Sequence, residues 1–283
     1  MPHIAIGHDI SGVIELYYED RGTGQPVVLV HGYPLDSRSW DQQVSALLTA
    51  GYRVITYDRR GFGRSSPAAD GYDYDTLAAD LRSVLAELEL ADAVLVGHGA
   101  GTGEIARYLG THGSAHVAKA VFLASLPPFL LRTDGTPHGV ELTFFDELIA
   151  KARSQDRHAY FAELCGLFLN TDEAGDRQCD SAVETFLDIA AATSPRACVA
   201  VIPTWITDFR ADIASIDVPA LIVHGVRDRL LPVDATGRPL HALLPQATYI
   251  EVADAPHGFL WTHAQEINHA VLDFLAHASG SHT

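Results

Sequence analysis

Lysine is almost missing, with Lys119 and Lys151 the only two in 283 residues. Arginine carries the rest of the positive charge, so this scarcity is a coding bias and excludes no function. Positive charge as a whole is short: 19 Lys and Arg face 36 Asp and Glu, a formal net charge of −17. Such a surface repels phosphate backbones, which excludes nucleic acid as an expected partner. Only three cysteines occur, Cys165, Cys179 and Cys198, without CxxC or metal-ligand spacing. Reduced thiols are expected, and no disulfide framework. No apolar run reaches the roughly 18 residues of a membrane span, and no basic segment precedes an apolar one at the start. Neither a membrane segment nor a signal peptide is expected, so the default is a soluble, cytoplasmic protein. Walker A, HExxH and EF-hand patterns are missing too. His112 and His116 stand four apart with no third ligand, and read as a surface pair.

What is present is a rhythm. Hydrophobic residues make up 47% of the chain, enough for a sizeable core. Short apolar runs at 27–30, 53–57, 93–96 and 120–123 read as strands, after a first strand at 13–19. Helical spacing fills 39–50, 74–90 and 102–112 between them. This alternation predicts βαβ units and a mainly parallel sheet with helices on both faces. The rhythm stops at 126–209, where only helical patterns occur, at 141–152, 157–169, 181–192 and 197–209. It resumes with strands at 220–223 and 248–252 and helices at 235–244 and 264–276. A core of residues 1–125 and 210–277 is therefore expected to carry an inserted helical cap, 126–209. The cap would lie over the carboxyl ends of the strands, where open α/β sheets bind ligands. Residues 278–283 read as a loose tail.

The strand ends carry the candidate chemistry. His31-Gly32-Tyr33-Pro34 is a sharp turn that can aim the Tyr33 N–H into a cavity. Ala93–Gly103, AVLVGHGAGTG, is an apolar run, a glycine-dense turn and a helix start. It directs the Ala100 N–H the same way. Two converging N–H donors make an oxyanion hole. Asp228 follows one late strand and His257 the next, in the order of acid and base downstream of a nucleophile elbow. Gly101-Thr102-Gly103-Glu104-Ile105-Ala106 also matches G-x-G-x-x-A. A dinucleotide site needs that motif directly after the first strand and an acid about 20 residues on, and neither holds.

Taken together, VHGYPLDSRSW (30–40), VITYDRRGFGRSS (54–66), GTGEIARYLG (101–110), FLASLPPFLL (122–131), HGVRDRLLP (224–232) and APHGF (255–259) resemble the α/β-hydrolases. Within them they are similar to the cofactor-free haloperoxidase group, with its perhydrolases and aryl esterases. The resemblance spans about residues 29–275. It implies the α/β-hydrolase fold: a mainly parallel eight-stranded sheet with helices on both faces and a helical cap. It implies no metal and no organic cofactor, and a homo-oligomer, a trimer or larger. It also implies Asp228 as triad acid, His257 as base, and the Tyr33 and Ala100 amides as oxyanion hole.

One residue departs from the pattern. The family reads Gly-x-Ser-x-Gly, whereas this chain reads Gly97-His98-Gly99-Ala100-Gly101, leaving the nucleophile position vacant at Gly99. Thr102, Ser125 and Cys165 do not convince as substitutes. Losing such a serine costs about 10⁶ in kcat. Three readings follow. In the first, an Asp–His pair with an oxyanion hole performs non-covalent acid/base chemistry on a small, largely apolar carbonyl or phenolic compound. Water activation, elimination or addition, cyclisation and cofactor-free oxygenation all belong to that class. His31, Gly32, His98, Phe144 and Trp205 are then expected around the substrate. In the second, Gly99 is the disabled position of a serine esterase or perhydrolase. In the third, the fold serves as a catalytically silent binding protein.

Overall fold

The computed structural model of the chain describes residues 2–153, 156–172 and 180–277. Cys179 and the tail 278–283 lie outside the described residues.

Strands β1 (His3–Asp9) and β2 (Gly12–Arg21) form an antiparallel hairpin. The alternating core follows: β3 (Pro26–Val30), α1 (Asp41–Thr49), β4 (Arg53–Tyr57), α2 (Tyr74–Glu87), β5 (Ala93–His98), α3 (Ala100–His112) and β6 (Val117–Leu123). Then come helices α4 (Leu142–Arg153), α5 (Arg157–Leu169), α6 (Asp180–Ala191), α7 (Pro195–Ala200) and α8 (Arg210–Ile213). The sheet resumes with β7 (Ala220–Gly225), α9 (Gly237–Leu243), β8 (Thr248–Val252), α10 (Phe259–Thr262) and α11 (Ala264–Ala276). The strands lie in the order β1-β2-β4-β3-β5-β6-β7-β8. Every pairing from β4 to β8 is parallel, and β2 joins β4 antiparallel. This is the expected α/β-hydrolase fold.

The period of two along each strand assigns the side chains to two cores. Val28 and Val30 of β3, Leu95 of β5 and Phe122 of β6 pack on one face with α2, α3 and the helices between β6 and β7. Val27, Leu29, Val94, Val96, Val121 and Leu123 pack on the other face with α1 and α11. Both faces are covered, which is why these strands read as continuous apolar runs.

Two expectations need correction. The single helix expected at 197–209 is broken: α7 ends at Ala200 and a 3₁₀ segment covers Ile202–Ile206. Pro203 lacks the N–H that would continue the helix, although the apolar spacing runs on past it. β1 was not legible, because only Ile4 of its seven residues is buried. Among the described residues, no single helix is long and apolar enough to cross a membrane.

Candidate active site

The turn between β5 and α3 is built by backbone geometry. Gly99 has φ +52° and ψ −120°, a conformation that side-chain-bearing residues adopt only under strain. Three bonds fix it. The Gly99 N–H donates to the Leu123 carbonyl at 3.0 Å. The Thr102 hydroxyl donates to the Gly99 carbonyl at 2.5 Å and accepts the Leu126 N–H at 2.9 Å. Two residues on, a Cβ at Gly101 would lie 2.3 Å from the Val30 carbonyl oxygen, so only glycine lets α3 start this close to β3.

The carboxyl ends of β7 and β8 supply an acid and a base. Asp228 Oδ2 meets His257 Nδ1 at 2.7 Å. The other oxygen, Oδ1, accepts the Leu230 and Leu231 N–H groups at 3.0 and 2.7 Å. Burial would raise the Asp228 carboxyl. The neighbouring His257 and His224 imidazoles and their hydrogen bonds outweigh it and hold the group well below the usual carboxylate range. An ionised Asp228 keeps the Nδ1 proton of His257 in place and turns Nε2 toward the elbow. A Cβ built at Gly99 would lie 3.0 Å from that Nε2 and 3.3 Å from Cε1, with no protein atom nearer.

Tyr33 and Ala100 complete the surroundings. Ala100 is the first residue of α3, so its N–H has no intrahelical acceptor. Among the described residues, the Tyr33 N–H also has none. The Tyr33 hydroxyl donates to the Cys198 carbonyl at 2.9 Å and shares a 2.6 Å hydrogen bond with Tyr160 of α5. Tyr33, Ala100, Leu126, Trp205, Leu230, Leu231 and His257 line a narrow cavity of about 10 Å³. That is about the room one water molecule needs. Its walls are apolar apart from N–H donors and the imidazole.

Of the residues expected around a substrate, the structure brings Tyr33, Ala100, Trp205 and His257 together, with Asp228 behind His257 and Gly99 facing it. Four others do not line this cavity, and each has a physical reason. His31 is fully buried and accepts the Arg59 N–H through Nε2 at 2.9 Å, so its Nδ1 carries the proton and donates to the Gly32 carbonyl at 2.8 Å. Burial, then the Arg59 charge, pushes His31 down to about 3. Gly32 packs against His98, whose Nδ1 would lie 2.9 Å from a Cβ there. His98 turns away into a nest of rings with Trp40, Phe168 and Phe259. Its Nε2 lies 3.0 Å from the His257 carbonyl, and burial followed by the His257 charge lowers it to about 3. Phe144, on α4, is half-buried against the core and stands edge-on to Phe145. The possible substitute nucleophiles are also engaged or buried elsewhere. Thr102 bonds the elbow carbonyl, Ser125 donates to the Pro127 carbonyl at 3.3 Å, and Cys165 is buried within α5.

Sequence reasoning missed His224. Its Nε2 lies 3.4 Å from Asp228 Oδ2 and 2.8 Å from the Leu231 carbonyl, giving the acid a second imidazole neighbour. The signal was its place at the end of β7, four residues before the acid. Among fifteen histidines it did not stand out. Leu126, Leu230 and Leu231 were likewise not singled out as lining. Below the elbow, Arg59 Nε pairs with Glu104 Oε2 at 2.7 Å in full burial, and Tyr57 bonds the other carboxylate oxygen. Among the described residues, no group of three His, Cys, Asp or Glu is placed to hold a metal ion.

The alpha/beta hydrolase fold family matches residues 25–264. A putative non-heme chloroperoxidase of Synechocystis is 47% identical over 276 residues, covering 97% of this chain and all of that protein. Bromoperoxidase from Bacillus anthracis superposes with a TM-score of 0.92 at 40% identity, over 98% of this chain and 99% of that one. An esterase from Exiguobacterium antarcticum reaches 0.90 at 27% identity, over 98% and 100% of the two chains.

Proposed function

We infer, for a chain that belongs to the alpha/beta hydrolase family, that it is an enzyme working by non-covalent acid/base chemistry. Its similarity to non-heme haloperoxidases and esterases points to small acyl, carbonyl or phenolic compounds. Gly99 is read as the position of the family's nucleophilic serine. The Gly-x-Ser-x-Gly resemblance and the elbow geometry support that reading. One observation carries the mechanism: His257 Nε2 lies 3.0 Å from where a side chain at Gly99 would begin. The imidazole thus faces bare backbone, with Asp228 anchoring its far side.

The chemistry follows from these groups. A water, or an acidic substrate C–H or O–H, held over Gly99 gives its proton to His257 Nε2. The imidazolium so formed is stabilised by the ionised Asp228. Negative charge developing on a carbonyl oxygen falls to the Tyr33 and Ala100 N–H donors, which already point without partners. The proton then returns from Nε2 to the product. Glycine attacks nothing, so no acyl-enzyme forms on position 99. The apolar walls of Leu126, Leu230 and Leu231 match a small, largely apolar compound.

Turnover of small esters, lactones and 1,3-diketones tests this. On the best of them, His257→Ala should lower kcat/KM by about 10²–10⁴-fold, and unchanged turnover would overturn the mechanism. Gly99→Ser should add hydrolysis of p-nitrophenyl acetate at least about 100-fold above the parent chain. No gain in a folded variant would remove the reading of Gly99 as a vacant nucleophile position.

A further inference from the structure

One helix between β6 and β7 reaches both turns that carry the acid and the base. The turns are joined to each other by the Arg227 N–H, which donates to the Ala255 carbonyl at 3.1 Å. The end of α5 grips each of them. The Gly258 N–H, next to His257, donates to the Phe168 carbonyl at 2.7 Å. Asn170 caps α5 with φ +53° and ψ +45°, a left-handed conformation that asparagine tolerates better than most residues. Its Nδ2 donates to the Arg227 carbonyl at 2.8 Å, one residue before Asp228. Phe168 adds a ring contact. It is buried and stands edge-on to His257, with centroids 4.8 Å apart and planes at 81°. His98, 4.7 Å from His257 and 5.8 Å from Phe168, completes a triangle of rings. The fit is tight: a Cβ at Gly258 would lie 2.5 Å from Leu169 Cδ2 and 2.7 Å from Phe168 Cδ1.

We propose that Phe168 and Asn170 are positioning residues, through which α5 holds the His257 imidazole and the Asp228 turn in one register. The inference rests on Asp228 and His257 being the acid–base pair. Neither Phe168 nor Asn170 lines the cavity, so both act through their neighbours and not on a substrate. Asp228 fixes only the Nδ1 edge of the imidazole, about which the ring can still rock. The Phe168 ring blocks one side of that motion. Asn170 works on the acid instead: without its amide the Arg227 carbonyl loses a donor, and the Asp228 turn can drift from Nδ1. Proton transfer demands close placement of the groups involved, so either movement slows it.

The His257 Nδ1 proton reads this without a substrate. Its NMR signal is assigned by its loss in His257→Gln, and its exchange with water is followed beside that of the Val94 and Val96 amides in β5. Asn170→Gly keeps the left-handed cap and removes only the side-chain amide. Phe168→Leu removes the ring and keeps an apolar side chain. In each folded variant, exchange of the Nδ1 proton should rise about tenfold while the β5 amides change by less than about twofold. On the best substrate, kcat should fall about tenfold with KM unchanged. Unchanged Nδ1 exchange in either variant strikes that residue from the proposal. A rise matched by the β5 amides would overturn the whole of it, reducing α5 to a stabiliser of the fold. So would a kcat that falls in His257→Ala but not in Asn170→Gly. Should His257→Ala leave turnover intact, the acid–base reading fails, while the Nδ1 exchange in Asn170→Gly still decides whether α5 positions the ring.

Discussion

At the ends of β7 and β8 the chemistry is carried by side chains that satisfy one another. Asp228 accepts from two backbone amides and from His257, with His224 alongside. At the ends of β3 and β5 the position is reversed. Gly99 brings no side chain, and Tyr33 and Ala100 offer main-chain donors without acceptors. The two histidines there, His31 and His98, are committed to packing. One half of the site is therefore finished by side chains, while the other is a mould of bare backbone and N–H donors. Acid/base function needs only the first half to be finished in advance, whereas a covalent mechanism needs both.

Breaking the complete half should have the largest effect. Asp228→Ala strands the Leu230 and Leu231 N–H groups and the His257 Nδ1 proton in a buried place. We expect a loss of about 3–5 kcal/mol in denaturant unfolding. A loss below about 1 kcal/mol would mean that the acid is not structurally integrated as described.

Acid titration sharpens the contrast from the other side. His31 and His98 have native pKa values lowered to about 3, below the ordinary histidine value near 6.5. The unfolded chain binds those protons first, so each ring's contribution is intact above pH 6.5 and is lost as pH falls toward 3. Between pH 7 and 5 each should cost about 2 kcal/mol of stability. His98→Phe should remove one such share, seen as a shallower fall of unfolding free energy over that interval. An unchanged slope would contradict the neutral, buried role given to His98. Asp228, with its native value depressed, acts in a lower window, contributing above about pH 4 and losing that contribution only below it.

Filling the mould should cost least. A serine at Gly99 takes a backbone of φ +52° and places its Cβ 3.0 Å from His257 Nε2. About 1–2 kcal/mol of destabilisation is expected from calorimetry or denaturant melts. A stabilised variant would show that the imidazole had room to spare, and that the two halves are less tightly fitted than the distance implies.

Much of this was legible in the residues, for reasons that differ from place to place. Val27–Val30 and Ala93–Val96 stood out because both faces of those strands are covered. Asp228 and His257 stood out because each follows an apolar run directly. β1 did not, since a half-exposed edge hairpin needs no apolar run. The break at Pro203 was overridden by spacing that continues beyond it. Phe144 and His98 failed for a common reason: sequence shows that a side chain is apolar or beside a turn, but which way it faces is set by neighbours distant in the chain. Trp205 lines the same cavity as His257, yet its unpaired N–H only exists as a fact once Tyr33 and the leucines surround it.

The Thr102 hydroxyl has a consequence for hydrogen exchange. It holds the Gly99 carbonyl on one side and the Leu126 N–H on the other. Leu126 belongs to no strand, and its amide is guarded by that single side chain. Its deuterium uptake therefore reports the opening of the elbow itself, separately from the breathing of the sheet, and gives a clock for the turn that requires no substrate.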